Sequence, residues 1–313
     1  MPAFKPYHLF PVMLILFPVF ILLSAGCQNE RSQPIDQQTY MNHIAEWQQN
    51  RVANLTRDEG WLTLTGLFWL EEGDNRFGSA AENDLVFPGD DLPPAMGKFI
   101  FDGRSVRIQI QPGVTIQHEQ KPVTEMTLLS DAQGKPTVLT YGAHSWYIIE
   151  RGDRFGVRLR NSQAAALKAF KGIETYPVDL QWRVKAILKP YHPSKTIQVP
   201  NVLGMVSGEE CPGALQFEIG GKNYRLDVIA EKDAEQYFII FADETNGEET
   251  YSAGRFLYAE RVDAQGITYL DFNKAYNPPC AFSDFATCPL PPLQNRLPVK
   301  ITAGEKNYAG SDH

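Results

Sequence analysis

The spacing of apolar residues changes character along the chain. Residues 9–23 form an almost uncharged apolar run; over residues 40–55 apolar side chains recur near a spacing of 3.6; beyond that they alternate with a period of two. The middle stretch predicts an amphipathic helix, with Met41, Ile44, Ala45, Trp47 and Val52 on one face and Gln48, Gln49 and Arg51 on the other. The alternating stretches come in pairs. Residues 98–110 flank Asp102-Gly103, a strong hairpin signal, and residues 145–160 repeat the pattern around Gly152-Asp153. Leu215, Phe217 and Ile219 face Tyr224, Leu226 and Val228 across Gly220-Gly221, and residues 255–261 and 267–272 make a fourth pair around residues 263–266. Strands spaced this way without intervening helices predict a mainly β fold, a sandwich or a barrel rather than a βαβ sheet. A short helical stretch at residues 163–170 and the Tyr176-Pro177 return place a soft boundary near residue 178.

The first apolar run is shorter than the roughly 20 residues a spanning helix needs, and Pro11 and Pro18 interrupt it. It follows Lys5 and His8 and ends in Leu23-Ser24-Ala25-Gly26-Cys27, a string that resembles a lipobox. That resemblance implies a precursor acylated on Cys27 and cleaved before it. Gln28 after the cysteine resembles cargo sent to the outer membrane in a double-membraned host. Residues 28–40, rich in Gln, Ser and Asp, have the composition of a tether. The chain has 29 basic and 37 acidic residues, net −8, and loss of Lys5 with the leader makes it one charge more acidic. No basic cluster offsets this balance, which argues against a nucleic-acid partner. Of the four cysteines, Cys211, Cys280 and Cys288 remain in the body. The short loop-forming gap between Cys280 and Cys288 makes them the expected disulfide, with Cys211 left over.

Several catalytic signatures are missing from the sequence: there is no Gly-x-Ser-x-Gly, no phosphate-binding Gly-rich loop ending in Lys-Ser/Thr, no Cys-x-x-Cys and no His-Glu-x-x-His. His43, His118, His144, His192 and His313 are scattered singly, so no metal site is expected. The densest segment runs from Asp271 through Asn273, Lys274, Tyr276 and Asn277 to Pro278-Pro279-Cys280, then Cys288-Pro289, Pro291-Pro292 and Asn295-Arg296. Its prolines preclude helix and central strand, so it must run extended over other elements. It fits a wrapping arm clipped by its two cysteines; it equally fits a pocket onto which Asp271, Asn273, Tyr276, Asn277 and Arg296 converge. Upstream, the Asp243-Glu244-Thr245-Asn246-Gly247 stretch is acidic but lacks the twelve-residue calcium-loop spacing. Arg255, opening a strand after Gly254, is expected to pair with Asp243 or Asp271.

These segments together carry a family resemblance. Trp61-Leu-Thr-Leu-Thr-Gly66-Leu-Phe-Trp69, Phe170-Lys-Gly172, Phe241-Ala-Asp243-Glu244-Thr245, Gly254-Arg255-Phe256-Leu257 and Asp271-Phe-Asn-Lys-Ala-Tyr-Asn-Pro-Pro-Cys-Ala-Phe282 resemble the bacterial and archaeal domain of unknown function 1684 family, over about residues 40–304. Cys280 and Cys288 belong to the motif and Cys211 does not. The resemblance implies no activity. Separately, Phe77-Gly78-Ser79 and Glu82-Asn83-Asp84-Leu85-Val86-Phe87-Pro88 resemble the opening of a forkhead-associated domain. The Ser-x-x-His step of that family has no counterpart over residues 93–99, so the likeness implies a sandwich without phosphopeptide binding.

The expected organisation is a lipoprotein signal peptide over residues 1–26, a tether over 27–39, a helix plus sandwich-like half over 40–178, and a barrel-like half with a proline-rich arm over 179–313. The expected function is that of a monomeric envelope lipoprotein, palmitoylated at Cys27 and facing the periplasm from the outer membrane if the host is diderm. It would bind a small polar ligand or a protein partner through Asp271, Asn273, Tyr276, Asn277, Arg296, Arg255 and Asp243. The alternative is a hydrolase or thiol-dependent enzyme built on the Asp271 to Cys288 motif. The sequence names no cofactor.

Overall fold

A computed structural model of the chain describes residues 36–309. The leader, Cys27 and most of the tether lie outside the described residues. Helix α1 spans Gln37–Thr56, so it starts ahead of Tyr40 with a polar first turn. Its inward face is Tyr40, Ile44 and Leu55, with Trp47 and Arg51 half-buried between them. Met41 and Ala45, expected inside, are exposed. Arg51, expected outside, turns in, because a buried carboxylate awaits it: Arg51 Nε lies 2.9 Å from Glu305 Oε1.

The first half holds β1 (Leu64–Trp69), β2 (Gly73–Gly78), β3 (Leu85–Val86), β4 (Gly97–Phe101), β5 (Val106–Ile110), β6 (Ile116–His118), β7 (Lys121–Val123), β8 (Glu125–Leu128), β9 (Leu139–Tyr141), β10 (His144–Arg151) and β11 (Arg154–Asn161). They form two sheets, ordered β1-β11-β10-β9-β6-β7 and β3-β2-β4-β5-β8. Every pairing is antiparallel except β2 with β3. The alternation dictates what each sheet buries. Phe77, Phe99, Phe101 and Ile108 from one sheet meet Trp146, Ile148, Val157 and Leu159 from the other in a single apolar core, the packing of a sandwich. A short helix, α2 (Ala165–Ala169), follows.

The second half holds β12 (Arg183–Pro200), β13 (Val206–Ile219), β14 (Lys222–Val228), β15 (Gln236–Phe241), β16 (Arg255–Glu260) and β17 (Ile267–Asp271). Four of these make one antiparallel sheet, β14-β13-β12-β17, and β15 pairs only with β16. Both sheets curve round one core of Leu215, Phe217, Leu226, Ile239, Phe241, Leu257, Leu270 and Phe272. The wall is thus a half-barrel, and the expectation of a barrel needs that correction. The cause lies in its two seams. At the first, β14 and β15 are joined by the single bridge Ile229 to Phe238, and the buried side chain of Asn295 fills the remaining gap. It accepts from the Asp227 amide at 2.8 Å and donates to the carbonyls of Asp227 (2.8 Å) and Ile240 (3.0 Å).

At the second seam the hairpin expected from residues 255–272 does not form a ladder, although β16 and β17 are consecutive and adjacent. The connection closes on itself instead: the Asp263 amide donates to Ile267 O, and Asp263 Oδ1 accepts from the amides of Gln265 and Ile267. The far edge of β16 is taken by Tyr276, which exchanges both backbone hydrogen bonds with Phe256, and Thr268 Oγ1 donates to Glu260 O at 2.9 Å. Between those two ties the wall stays split.

Asn295 leaves a testable mark. Asn295→Ala strands one amide and two carbonyls in a buried gap, each costing about 1–3 kcal/mol when unsatisfied. A loss of about 3 kcal/mol is expected, read as a lower urea midpoint with an unchanged m-value.

Candidate functional site

Along β16 and β17 the period of two sends Leu257, Ala259, Thr268 and Leu270 into the half-barrel and leaves Tyr258, Glu260, Tyr269 and Asp271 outside. The outer residues flank the split seam. Arg183 joins them from β12, where it is the cross-strand partner of Asp271, and Gln236 from β15, where it is the partner of Glu260. Helix α1 lies above with Trp47, and Tyr276 and Lys274 close one end. The result is an open slot of about 410 Å³, within the range that holds a small ligand.

Aromatic rings make its walls. Tyr258 and Tyr276 stack with centroids 6.3 Å apart and planes at 14°, and Trp47 tilts against Tyr276 at 6.3 Å. Behind Tyr276, the Arg51 guanidinium sits 4.7 Å from the ring centroid, and Phe256 meets the ring edge-on at 5.7 Å. Arg183 lies over Tyr269, with Cζ 3.8 Å from the centroid. Tyr258 keeps 48% of its surface exposed. Asp271 is held from beneath: its Oδ1 accepts from Tyr40 Oη at 2.8 Å and from Asn273 Nδ2 at 3.2 Å. Burial pushes the Tyr40 hydroxyl well above its ordinary value, and the bond to Asp271 pushes the same way. Burial does the same to Tyr276, reinforced by Tyr258 and opposed by Arg51. Both hydroxyls are therefore neutral donors in neutral solution.

The residues singled out from the sequence divide sharply. Asp271 and Tyr276 line the slot. Asn273, buried directly behind Asp271, positions it: Nδ2 donates to Tyr40 Oη and to Asp179 O, both at 2.8 Å, and Oδ1 accepts from the Asp179 amide at 3.1 Å. Asn277 is buried away from the slot, with its amide on Glu305 Oε2 at 2.7 Å and its Nδ2 on Lys306 O at 2.7 Å. Arg255 and Asp243 form a fully buried ion pair at 2.6 Å, and Asp243 Oδ1 accepts from Thr245 and from the Ile301 amide. With its oxygens so engaged, Asp243 is no cation ligand, and among the described residues no three His, Cys, Asp or Glu cluster as a metal site. Arg296 is exposed elsewhere, on an apolar groove with Ile197, Val206, Pro292 and Leu293.

Cys280 and Cys288 are joined by a disulfide, with Cα atoms 6.1 Å apart, and Cys211 is a buried free thiol whose pKa is pushed up by burial and by Asp227. Trp47, Arg183, Gln236, Tyr258, Glu260 and Tyr269 were not picked out from the sequence. The signal for the tyrosines was present, as outward aromatic positions on β16 and β17; only the split seam reveals that they face a common space.

The fold and slot define a mostly β protein whose half-barrel carries a helix-roofed groove. A family model, described as protein of unknown function (DUF1684), matches residues 168–306. That match spans the half-barrel and its arm. A solution structure of an uncharacterized protein of Haloarcula marismortui is 28% identical, covering 46% of this chain and 80% of its own, with a TM-score of 0.39. A crystal structure of the FhaA FHA domain complexed with the intracellular domain of Rv3910 is 13% identical, covering 30% of this chain and 97% of its own, with a TM-score of 0.19. Neither superposition is close enough to carry an inference. No curated protein matches the chain.

The division of residues has an energetic signature. Removing one partner of a buried ion pair costs about 3–5 kcal/mol, whereas an exposed side chain away from such contacts costs at most about 0.5 kcal/mol. Arg255→Ala should therefore lower the chemical-denaturation midpoint severely, and Arg296→Ala should leave it nearly unchanged.

Proposed function

We propose that the chain is a lipid-anchored binding module of the cell envelope that holds a small polar ligand in the slot between β16, β17 and α1. The observation that carries this reading is the split seam: two neighbouring strands fail to pair, and the gap is lined by Trp47, Tyr258, Tyr269 and Tyr276 together with Arg183, Asp271 and Lys274. Rigid aromatic faces with a few convergent polar groups are what a small-ligand site requires. The anchor rests on the Leu23 to Cys27 string, with palmitate among the acyl chains it would receive, and among the described residues no helix is long and apolar enough to cross a membrane. In a diderm host the module would face the periplasm from the outer membrane, as a monomer.

A thiol-dependent enzyme is the weaker reading, since Cys280 and Cys288 are bonded to each other and Cys211 is buried with its thiol disfavoured as thiolate. A protein partner is favoured by one feature, the exposed Val202, Leu203 and Val206 at the end of the β12–β13 hairpin with Leu293 82% exposed on the arm.

Two measurements test the reading. Full-length protein incubated with the small-molecule fraction of an envelope extract should retain a ligand in native mass spectrometry. Tyr258→Ala and Trp47→Ala should each lose it while melting within a few degrees of the parent; retention by both variants would remove the slot from consideration. For the anchor, alkyne-palmitate fed to producing cells should label the parent and leave Cys27→Ala unlabelled, and equal labelling would refute acylation there.

A further inference from the structure

The four charged side chains around the slot are not equally engaged. Asp271 Oδ1 already accepts from Tyr40 and Asn273, and Glu260 Oε1 accepts from Gln236 Nε2 at 2.6 Å. Among the described residues, Arg183 and Lys274 have no carboxylate within ion-pair distance. Arg183 is in strand register with Asp271, yet its recorded contact is the ring of Tyr269. Stacking of this kind occupies the face of a guanidinium and leaves its in-plane N–H fork available for a planar anion. The slot therefore holds two cationic groups that no carboxylate among the described residues neutralises by direct contact, although the protein as a whole is acidic.

We propose that the ligand is a saccharide carrying one anionic group, a carboxylate or a phosphate, which lies on Arg183 and Lys274. This rests on the slot being the binding site. The ring would lie against the exposed ring of Tyr258, beside the Arg183-covered Tyr269, where C–H surfaces of a sugar meet aromatic carbon, and its hydroxyls would reach the amide of Gln236 and the remaining oxygens of Asp271 and Glu260. A purely apolar ligand would strand those polar groups without partners. A polyanion is disfavoured by the net charge of −8. One anion on a polar ring satisfies both constraints.

Isothermal titration calorimetry on detergent-solubilised full-length protein tests this. The probes are uronic acids and 6-phosphates in the gluco, galacto and manno configurations, their neutral parents, and acetate and inorganic phosphate alone. At least one charged sugar should bind tenfold or more tighter than its parent, and the pattern across carboxylate and phosphate arms identifies the anion. Arg183→Gln should bring that sugar down to within about threefold of its parent, with Lys274→Gln as the second variant should Arg183→Gln melt early. Tyr258→Ala should weaken charged and neutral sugars alike. Equal binding of charged and neutral sugars would overturn the anionic part; binding of acetate or phosphate as tight as that of the sugar would overturn the saccharide part. If no sugar binds while native mass spectrometry still finds a ligand lost on Tyr258→Ala, this inference falls and the slot reading stands. If both are negative, both fall.

Discussion

The architecture of the second half hangs on one buried guanidinium. Arg255 has no exposed surface and is compensated by Asp243 at 2.6 Å; its Nη1 and Nη2 groups also donate to the backbone carbonyls of Ile301, Ala303 and Glu305, while Nε finds no partner. A lone charge in this interior would be prohibitive, so the pair and the chain segment it reads must come together. That segment is then fixed closely enough for Gly304 to pass with a positive φ of 78° over the carbonyls of Ala275 and Phe272, where an added Cβ would approach to 2.4 Å and 2.8 Å. Fixing residues 301–305 delivers the Glu305 carboxylate to Arg51. Arg51 in turn docks α1, and α1 carries Trp47 over the slot. The roof is thus positioned in part by an ion pair that does not itself line the slot.

The two seams of the half-barrel show the same requirement met in different ways. Strand edges must satisfy their amides and carbonyls. Between β14 and β15 a single asparagine side chain substitutes for missing ladder bonds and the seam is sealed. Between β16 and β17 the ties are placed only at the ends, through Tyr276 and Thr268, and the middle remains accessible. A half-barrel with one seam sealed and the other left as an aromatic-lined gap departs from local consistency at that gap, and such departures concentrate where proteins bind ligands.

Much of this was legible in the sequence because alternation and Asp-Gly or Gly-Gly turns are local signals. The hairpins of residues 98–110, 145–160 and 215–228 form in register, and the helix is present within a turn of its expected start. The fourth pair shows the limit. Alternation in residues 255–272 specifies two strands and which faces they bury, but not that Tyr276, beyond the second strand, would take the edge the hairpin needed. The site residues were legible to a similar degree. A dense polar motif does mark the neighbourhood of the slot through Asp271 and Tyr276, yet its asparagines serve the backbone and Arg296 points elsewhere. Sequence density does not distinguish a group that presents itself to solvent from one that satisfies a carbonyl. Trp47 and Arg183 were invisible for another reason: they reach the slot from elements distant in the chain.

That distance has a kinetic side. Tyr40 meets Asp271 across 231 residues and Asn273 across 233, so the roof of the slot is synthesised first and finds its walls last. Contacts of such long range must overcome loop closure before they contribute anything, and domains dominated by them fold slowly. Until the last strand and the returning arm are in place, α1 lacks the surface its inward face rests on, and in proteins most helical stability comes from such packing. Assembly of the slot is therefore a late event in folding, and a chain interrupted before residue 305 would keep the tie from Tyr40 to Asp271 but lose the carboxylate that pairs with Arg51.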